Sequence, residues 1–161
     1  MTSVKGAKFL NYSTEVSASK TAGEIQAILV AHGASAITTV YGDGGTIQAI
    51  SFKVRTPQEG EVSIRLPIDR EATLRVLTRL AHQSKIPRRF AQPDQAERVA
   101  WRVVKDWVAA QMALVETEQV RMEQIFLPYL LTPQGQTIYE VAVQSGFLAL
   151  PEGKAKELSN A

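Results

Sequence analysis

The chain contains no cysteine, which excludes disulfides, thiolate metal sites and cysteine nucleophiles and suits a reducing compartment. Histidine is almost as scarce. His32 and His82 each sit near the end of a predicted helix, and neither has a carboxylate at triad or metal-site spacing. Glu116, Glu118 and Glu123 match no cation-binding loop. An enzyme is therefore not expected, nor is a metal or other cofactor. No apolar run approaches the roughly 18 residues of a membrane helix. The opening Met1-Thr2-Ser3-Val4-Lys5-Gly6 lacks the apolar core of a signal peptide. The expected location is the cytoplasm of the cell that makes the protein.

What is present is a composition of 45% hydrophobic and 21% charged residues over 161 positions, enough for one domain with a real core. The net charge of +2 hides an asymmetry. Residues 1–47 balance three basic against three acidic side chains, and residues 48–105 hold twelve against six, a net of +6. Residues 106–161 hold three against seven, a net of −4. Such polarity can set a basic surface beside an acidic one.

The stretch Pro93–Tyr129 dominates the chain. It is helix-compatible to about Leu127 and contains both tryptophans. At 100° per residue, Ala96, Ala100, Val103, Trp107, Ala110 and Leu114 share one stripe, widened by Val99, Val104, Val108 and Val115. Asp94, Arg98, Arg102, Lys105 and Glu116 run down the opposite side. The wheel thus assigns Trp107 to packing.

Before it, residues 1–9 read as a loose leader, and the alternation of Leu10, Tyr12, Thr14 and Val16 predicts a first strand. Thr21 and Glu24 have capping-box spacing, which predicts a helix over about 21–32 stopped by Gly33. Ala36–Tyr41, the turn Gly42-Asp43-Gly44-Gly45, the return Thr46–Arg55 and a third strand through Val62, Ile64 and Leu66 form a meander. The glycine turn lacks a Walker lysine–hydroxyl pair and the strand–loop–helix context, so it is a hairpin rather than a phosphate loop. Asp69 caps a helix over about 70–83, with Arg75 and Arg79 one turn apart on its outside. A polar connector, Gln83–Pro93, leads into the long helix, which bends near Glu116–Glu118 and is interrupted at Pro128. Thr137 and Glu140 cap a short helix over about 138–145, followed by the apolar strip Phe147–Leu150 and a disordered tail, 151–161.

The expected fold is α+β: a β-α-β-β-β-α two-layer unit with an antiparallel sheet, then the long amphipathic helix and short C-terminal helices. It is read as a single domain over 1–150, a sheet–helix unit at 10–83 and a helical half at 93–150.

Three basic groups are candidate sites for nucleic acid. Lys53, Arg55 and Arg65 share the polar face of the meander and could track a phosphate backbone, or could simply be a solvated face. In the connector, Lys85, Arg88 and Arg89 beside Phe90 could clamp phosphates and stack a base, or could pair with the acidic C-terminal half. Arg98, Arg102 and Lys105 could extend that surface, or form local pairs such as Asp94–Arg98 and Arg102–Asp106.

Taken together, Lys20-Thr21 with Glu24-Ile25-Gln26, His32-Gly33-Ala34, Leu66-Pro67-Ile68-Asp69, Ala96–Arg102, Lys105-Asp106-Trp107 with Gln111, and Phe126-Leu127-Pro128-Tyr129 resemble a family of small proteins of unknown function encoded by bacteriophages and prophages. The resemblance covers about residues 10–150 and brings no active site with it. It implies a viral protein in a host cytoplasm, where small basic-faced proteins serve replication or recombination. The function expected is a non-catalytic accessory protein of phage DNA metabolism that binds single-stranded nucleic acid. The alternative is a protein–protein module, either a homo-oligomeric structural protein or an inhibitor of a host defence protein. The broad apolar circumference of the long helix and Phe147–Leu150 motivate it.

Overall fold

Ser17, not Thr21, opens the first helix. In the computed structural model, which describes residues 11–58 and 60–149, the Ser17 hydroxyl accepts a hydrogen bond from the Lys20 amide at 3.2 Å and α1 spans Ala18–Ala31. Thr21 lies inside the helix and is fully buried. The earlier start brings Ala18 and Ala22 onto the core-facing stripe with Ile25 and Leu29, apolar burial that a start at Thr21 would forgo. Gly33 stops the helix with φ +93°, a left-handed conformation that glycine adopts without steric penalty.

The class is α+β as expected, and the order from α1 onward follows the sequence reading. The expected first strand is the exception. Residues 11–16 form a turn and bend, with Asn11 at φ +68° and the Thr14 amide bonded to the Asn11 carbonyl at 3.0 Å. Its backbone partners come from a side chain rather than a neighbouring strand: Gln95 Nε2 donates to the carbonyls of Tyr12 at 2.8 Å and Thr14 at 3.1 Å. Leu10, the leader, Leu150 and the tail lie outside the described residues.

The sheet is an antiparallel meander in the order β1 (Ala34–Tyr41), β2 (Ile47–Thr56), β3 (Gly60–Arg65). Ile50, Phe52 and Val54 of β2 and Ile64 of β3 are buried on one face. The period of two turns Ser51, Lys53, Arg55, Ser63 and Arg65 to the other. Phe52 sits opposite Ile64 and Ile37 in the register.

Asp69 caps α2 (Arg70–His82) through the Ala72 amide at 2.8 Å. After a short 3-10 turn at Arg88–Phe90, Pro93 opens α3 (Pro93–Glu116), where its missing N–H costs nothing. α3 packs against both α1 and α2: Ala96, Val99, Ala100, Val104 and Val108 of the predicted stripe are buried, and contact on two sides extends the buried side to Trp101 and Met112. Trp101, Val104, Val108 and Met112 are buried, whereas Val103 and Leu114 are exposed. Trp101 is 0% exposed, and half-buried Trp107 packs edge-on against Phe126 and Tyr129, with ring centroids 5.5 Å apart in each case.

α3 ends at Glu116, and Glu118 turns the chain with φ +56°. α4 (Met122–Phe126) then delivers Phe126 into the core against Phe52, at 5.4 Å. Beyond Pro128 the chain returns along β3, where Leu130 bridges Ile64 and the Leu131 amide donates to the Ser63 carbonyl at 2.8 Å. α5 (Ile138–Gln144) carries the expected Thr137–Glu140 capping box. One buried cluster thus runs from α1 through the sheet to α3 and Phe126, and a second joins α2, Ile86, Ala96 and Val99. Each large side chain fully buried in them contributes about 1.5–3 kcal/mol.

Candidate functional site

The basic side chains divide into those already committed inside the subunit and those that are not. On the outer sheet face, Lys53, Arg55 and Arg65 do lie together, because Lys53 opposes Ser63, Ser51 opposes Arg65 and Arg55 opposes Glu61. Two of the three, Lys53 and Arg65, are bonded within the subunit. Lys53 Nζ pairs with Glu61 Oε1 at 3.2 Å, and Ser35 Oγ donates to the same carboxylate at 3.2 Å. The Lys53 hydrogen bond and charge hold the Glu61 carboxyl below its usual range, with the Ser35 bond and the Arg55 charge adding to the effect. Arg65 Nη2 donates to the Gly135 carbonyl at 2.9 Å, which spends it on tying the C-terminal segment to β3. Arg55 is exposed opposite Glu61.

The strip along α3 is also engaged, though not in the predicted pairs. Arg98 donates through Nε and Nη2 to Gln95 Oε1 at 3.0 and 2.7 Å. Arg102 forms an ion pair with Glu24 that joins α3 to α1. Lys105 pairs with Asp106 at 3.6 Å, and Asp106 accepts from Asn11 Nδ2 at 2.8 Å. Sequence proximity favoured helix-surface partners. Arg102 finds its partner on α1, whereas Arg98 and Lys105 bond to Gln95 and Asp106 of α3, which in turn hold the residue 11–16 turn.

The connector is different. Lys85, Arg88 and Arg89 are exposed and have no ion pair among the described residues. Phe90 is half-buried and packs on the second core cluster. Its ring meets Tyr12 edge-on at 5.5 Å and lies 4.8 Å from the Arg89 guanidinium carbon. With one edge against Tyr12 and Arg89 over the ring, Phe90 positions Arg89 rather than offering a face to a base.

Arg75 and Arg79 complete this surface, and they were not among the sequence candidates. With Thr78 and His82 they occupy one face of α2 by helical spacing, and both arginines are exposed without an ion pair among the described residues. Thr78, Ala81 and His82 line a shallow cleft with Arg88 and Ala91, so the 3-10 turn extends that face. On its other side Arg89, Phe90, Gln95 and Arg98 line a cleft of about 320 Å³ with Ser13, Thr14 and Glu15. A basic band therefore runs from the outside of α2 over the connector as far as Arg89. Over residues 70–92 the chain has six basic side chains and one carboxylate, Glu71. Among the described residues Arg70 alone of the six is paired with a carboxylate, Glu97 at 3.7 Å. The signal that could have found Arg75 and Arg79 was their i, i+4 spacing on a helix whose one carboxylate, Glu71, lies a turn before Arg75 and two turns before Arg79.

His32 is held at the far end of α1. Nδ1 lies 2.7 Å from the Ile28 carbonyl and Nε2 lies 2.7 Å from Glu116 Oε1. Its pKa is raised above 6.5, first by the bond to Ile28 and then by Glu116, against the opposing effect of burial. Only the protonated ring donates from both nitrogens.

No family model matches the chain, and neither a curated protein nor a solved structure matches it.

Proposed function

We propose that the protein is a non-catalytic accessory factor that binds single-stranded nucleic acid through the basic band of α2 and the connector. The observation that carries this is the contrast in commitment. Lys53, Arg65, Arg98, Arg102 and Lys105 are bonded within the subunit, whereas Arg75, Arg79, Lys85, Arg88 and Arg89 point to solvent without a carboxylate partner among the described residues. Guanidinium and ammonium groups arrayed along one surface neutralise phosphates and release counterions, whatever the base sequence. Packing of Phe90 against Tyr12 leaves stacking a small part, so affinity comes from charge and sequence preference is weak. A role in phage DNA replication or recombination rests on the resemblance of the residues quoted above and is part of the proposal.

Anisotropy of a labelled single strand, titrated at low and at high salt, tests this. Binding at low salt that falls steeply as salt rises is expected. No binding at low salt, or binding indifferent to salt, would sink the proposal. A second role as a protein–protein module draws on α5 and its end, where Phe147 is 82% exposed beside exposed Val143 and Leu148. Apolar exposure of that kind marks contact surfaces. Phe147→Ser should then abolish any partner captured by the wild type without altering strand binding.

A further inference from the structure

The two edges of the sheet are treated differently. Beyond β3 the edge is occupied by Leu130 and Leu131. Beyond β1 no strand pairs among the described residues. β1 is eight residues long, Ala34-Ser35-Ala36-Ile37-Thr38-Thr39-Val40-Tyr41, with no charge and no proline. Its register irregularities fall only at the ends, between Ala34 and Ala36 and between Val40 and Tyr41. The middle is therefore a regular edge whose outward N–H and C=O groups meet no strand among the described residues. Exposed edges in monomers normally carry lysine, proline or a central bulge to prevent that pairing. This one carries none of them, and Val40 and Tyr41 are exposed.

The helical layer beneath continues the same surface. Gln26 Nε2 of α1 donates to Thr39 Oγ1 at 3.1 Å, which sets α1 under β1. The flank of α1 toward α3 carries Glu24 and His32, bound to Arg102 and Glu116. On a helical wheel the opposite flank is Ser19, Gly23, Gln26, Ala27 and Val30, without a charge. Val30 is 61% exposed there. Glycine within a helix costs stability relative to alanine. A Cβ added at Gly23 would meet nothing within 4 Å, so nothing among the described residues requires glycine at that position. Close approach of a second backbone from outside would.

We propose that β1 and this flank of α1 form the interface of a two-fold homodimer. β1 pairs antiparallel with β1 of a second copy, joining two three-stranded sheets into one, and the α1 helices meet at Gly23. A two-fold axis perpendicular to the strand lays an edge strand antiparallel to its own copy, an orientation in which strands pair directly. Because both layers of the edge are uncharged, self-pairing sets no like charges against each other. α2 packs on α3 rather than on α1, so the basic band stays free in the dimer and the inference stands or falls independently of the proposed function.

Light scattering on the full chain tests it. At micromolar concentration the wild type should show twice the chain mass of 17.7 kDa. Gly23→Lys should fold, because the space above Gly23 is open, and should elute with the mass of one chain. Val40→Lys should do the same, with circular dichroism confirming the fold of both variants. A single-chain mass for the wild type at every concentration, or a doubled mass retained by either folded variant, would overturn the proposal.

Discussion

Replacing Gln95 should loosen the wall that residues 13–15 form in the cleft beside Phe90 and Arg98. Gln95 is 5% exposed, and its side-chain amide serves three groups at once. Nε2 donates to the Tyr12 and Thr14 carbonyls, and Oε1 accepts both bonds from Arg98. Net values are about 1 kcal/mol for each neutral bond and about 1.5–3 kcal/mol where a charged donor is involved. Tyr12, Thr14 and Arg98 are only half-buried and regain water when released, which trims that total. Gln95→Ala should therefore cost about 3 kcal/mol, or roughly 6–12 °C in Tm for a chain of this size. Gln95→Met preserves the volume and removes only the polar contacts, so it should lose nearly as much. Thermal melts followed by circular dichroism read both variants. A shift below about 2 °C in Gln95→Ala, under 1 kcal/mol on the same scale, would mean that residues 11–16 are not anchored by this amide.

Other consequences follow from the same contacts. His32 has a raised pKa in the folded state, so its stabilising contribution is fully present below the unfolded value of about 6.5 and is lost as pH rises through the folded value. Urea unfolding at mildly acid and mildly alkaline pH should show that fall, and Glu116→Gln should flatten it. A double-mutant cycle on Glu24 and Arg102, a partly exposed pair, should return a coupling of about 1 kcal/mol. Because Arg102 is committed to Glu24, Arg102→Ala should leave single-strand affinity within about twofold, a rim-sized effect. Phe126→Ala, at a fully buried ring touching Phe52 and Trp107, should cost about 3–5 kcal/mol. A milder loss would show that α4 is not part of the main core.

Local chemistry made most of the fold readable. Asp69 and Thr137 cap α2 and α5, Gly33 stops α1, Pro93 opens α3, and the glycine-rich turn joins β1 to β2, all within a few residues of the signal that announces them. The misreadings came from partners distant in sequence. Alternation at Leu10–Val16 imitates a strand, yet the carbonyls of Tyr12 and Thr14 are claimed by Gln95, 83 and 81 positions away. Contact with both α1 and α2 widened the buried side of α3, and no periodicity within α3 could reveal that its neighbours lay on two sides. For the site, the sequence marked the basic residues but not their commitments. Lys53 and Glu61 meet only across the β2–β3 register, Arg102 and Glu24 only across the α1–α3 packing, and Arg65 only reaches Gly135 once the C-terminal segment returns. Subtracting those pairs moved the candidate surface from the sheet to α2 and the connector.

The most direct test of that relocation is the salt dependence of single-strand binding. The five cations of the α2–connector band predict a slope of log K against log salt of about −3 to −4, at roughly 0.7 per phosphate contacted. In Arg75→Ala/Arg79→Ala the slope should flatten by about 1.4. Lys53→Ala and Arg65→Ala should leave it unchanged. A slope that ignores the α2 arginines but flattens with Lys53 or Arg65 would contradict the account and return the interface to the sheet.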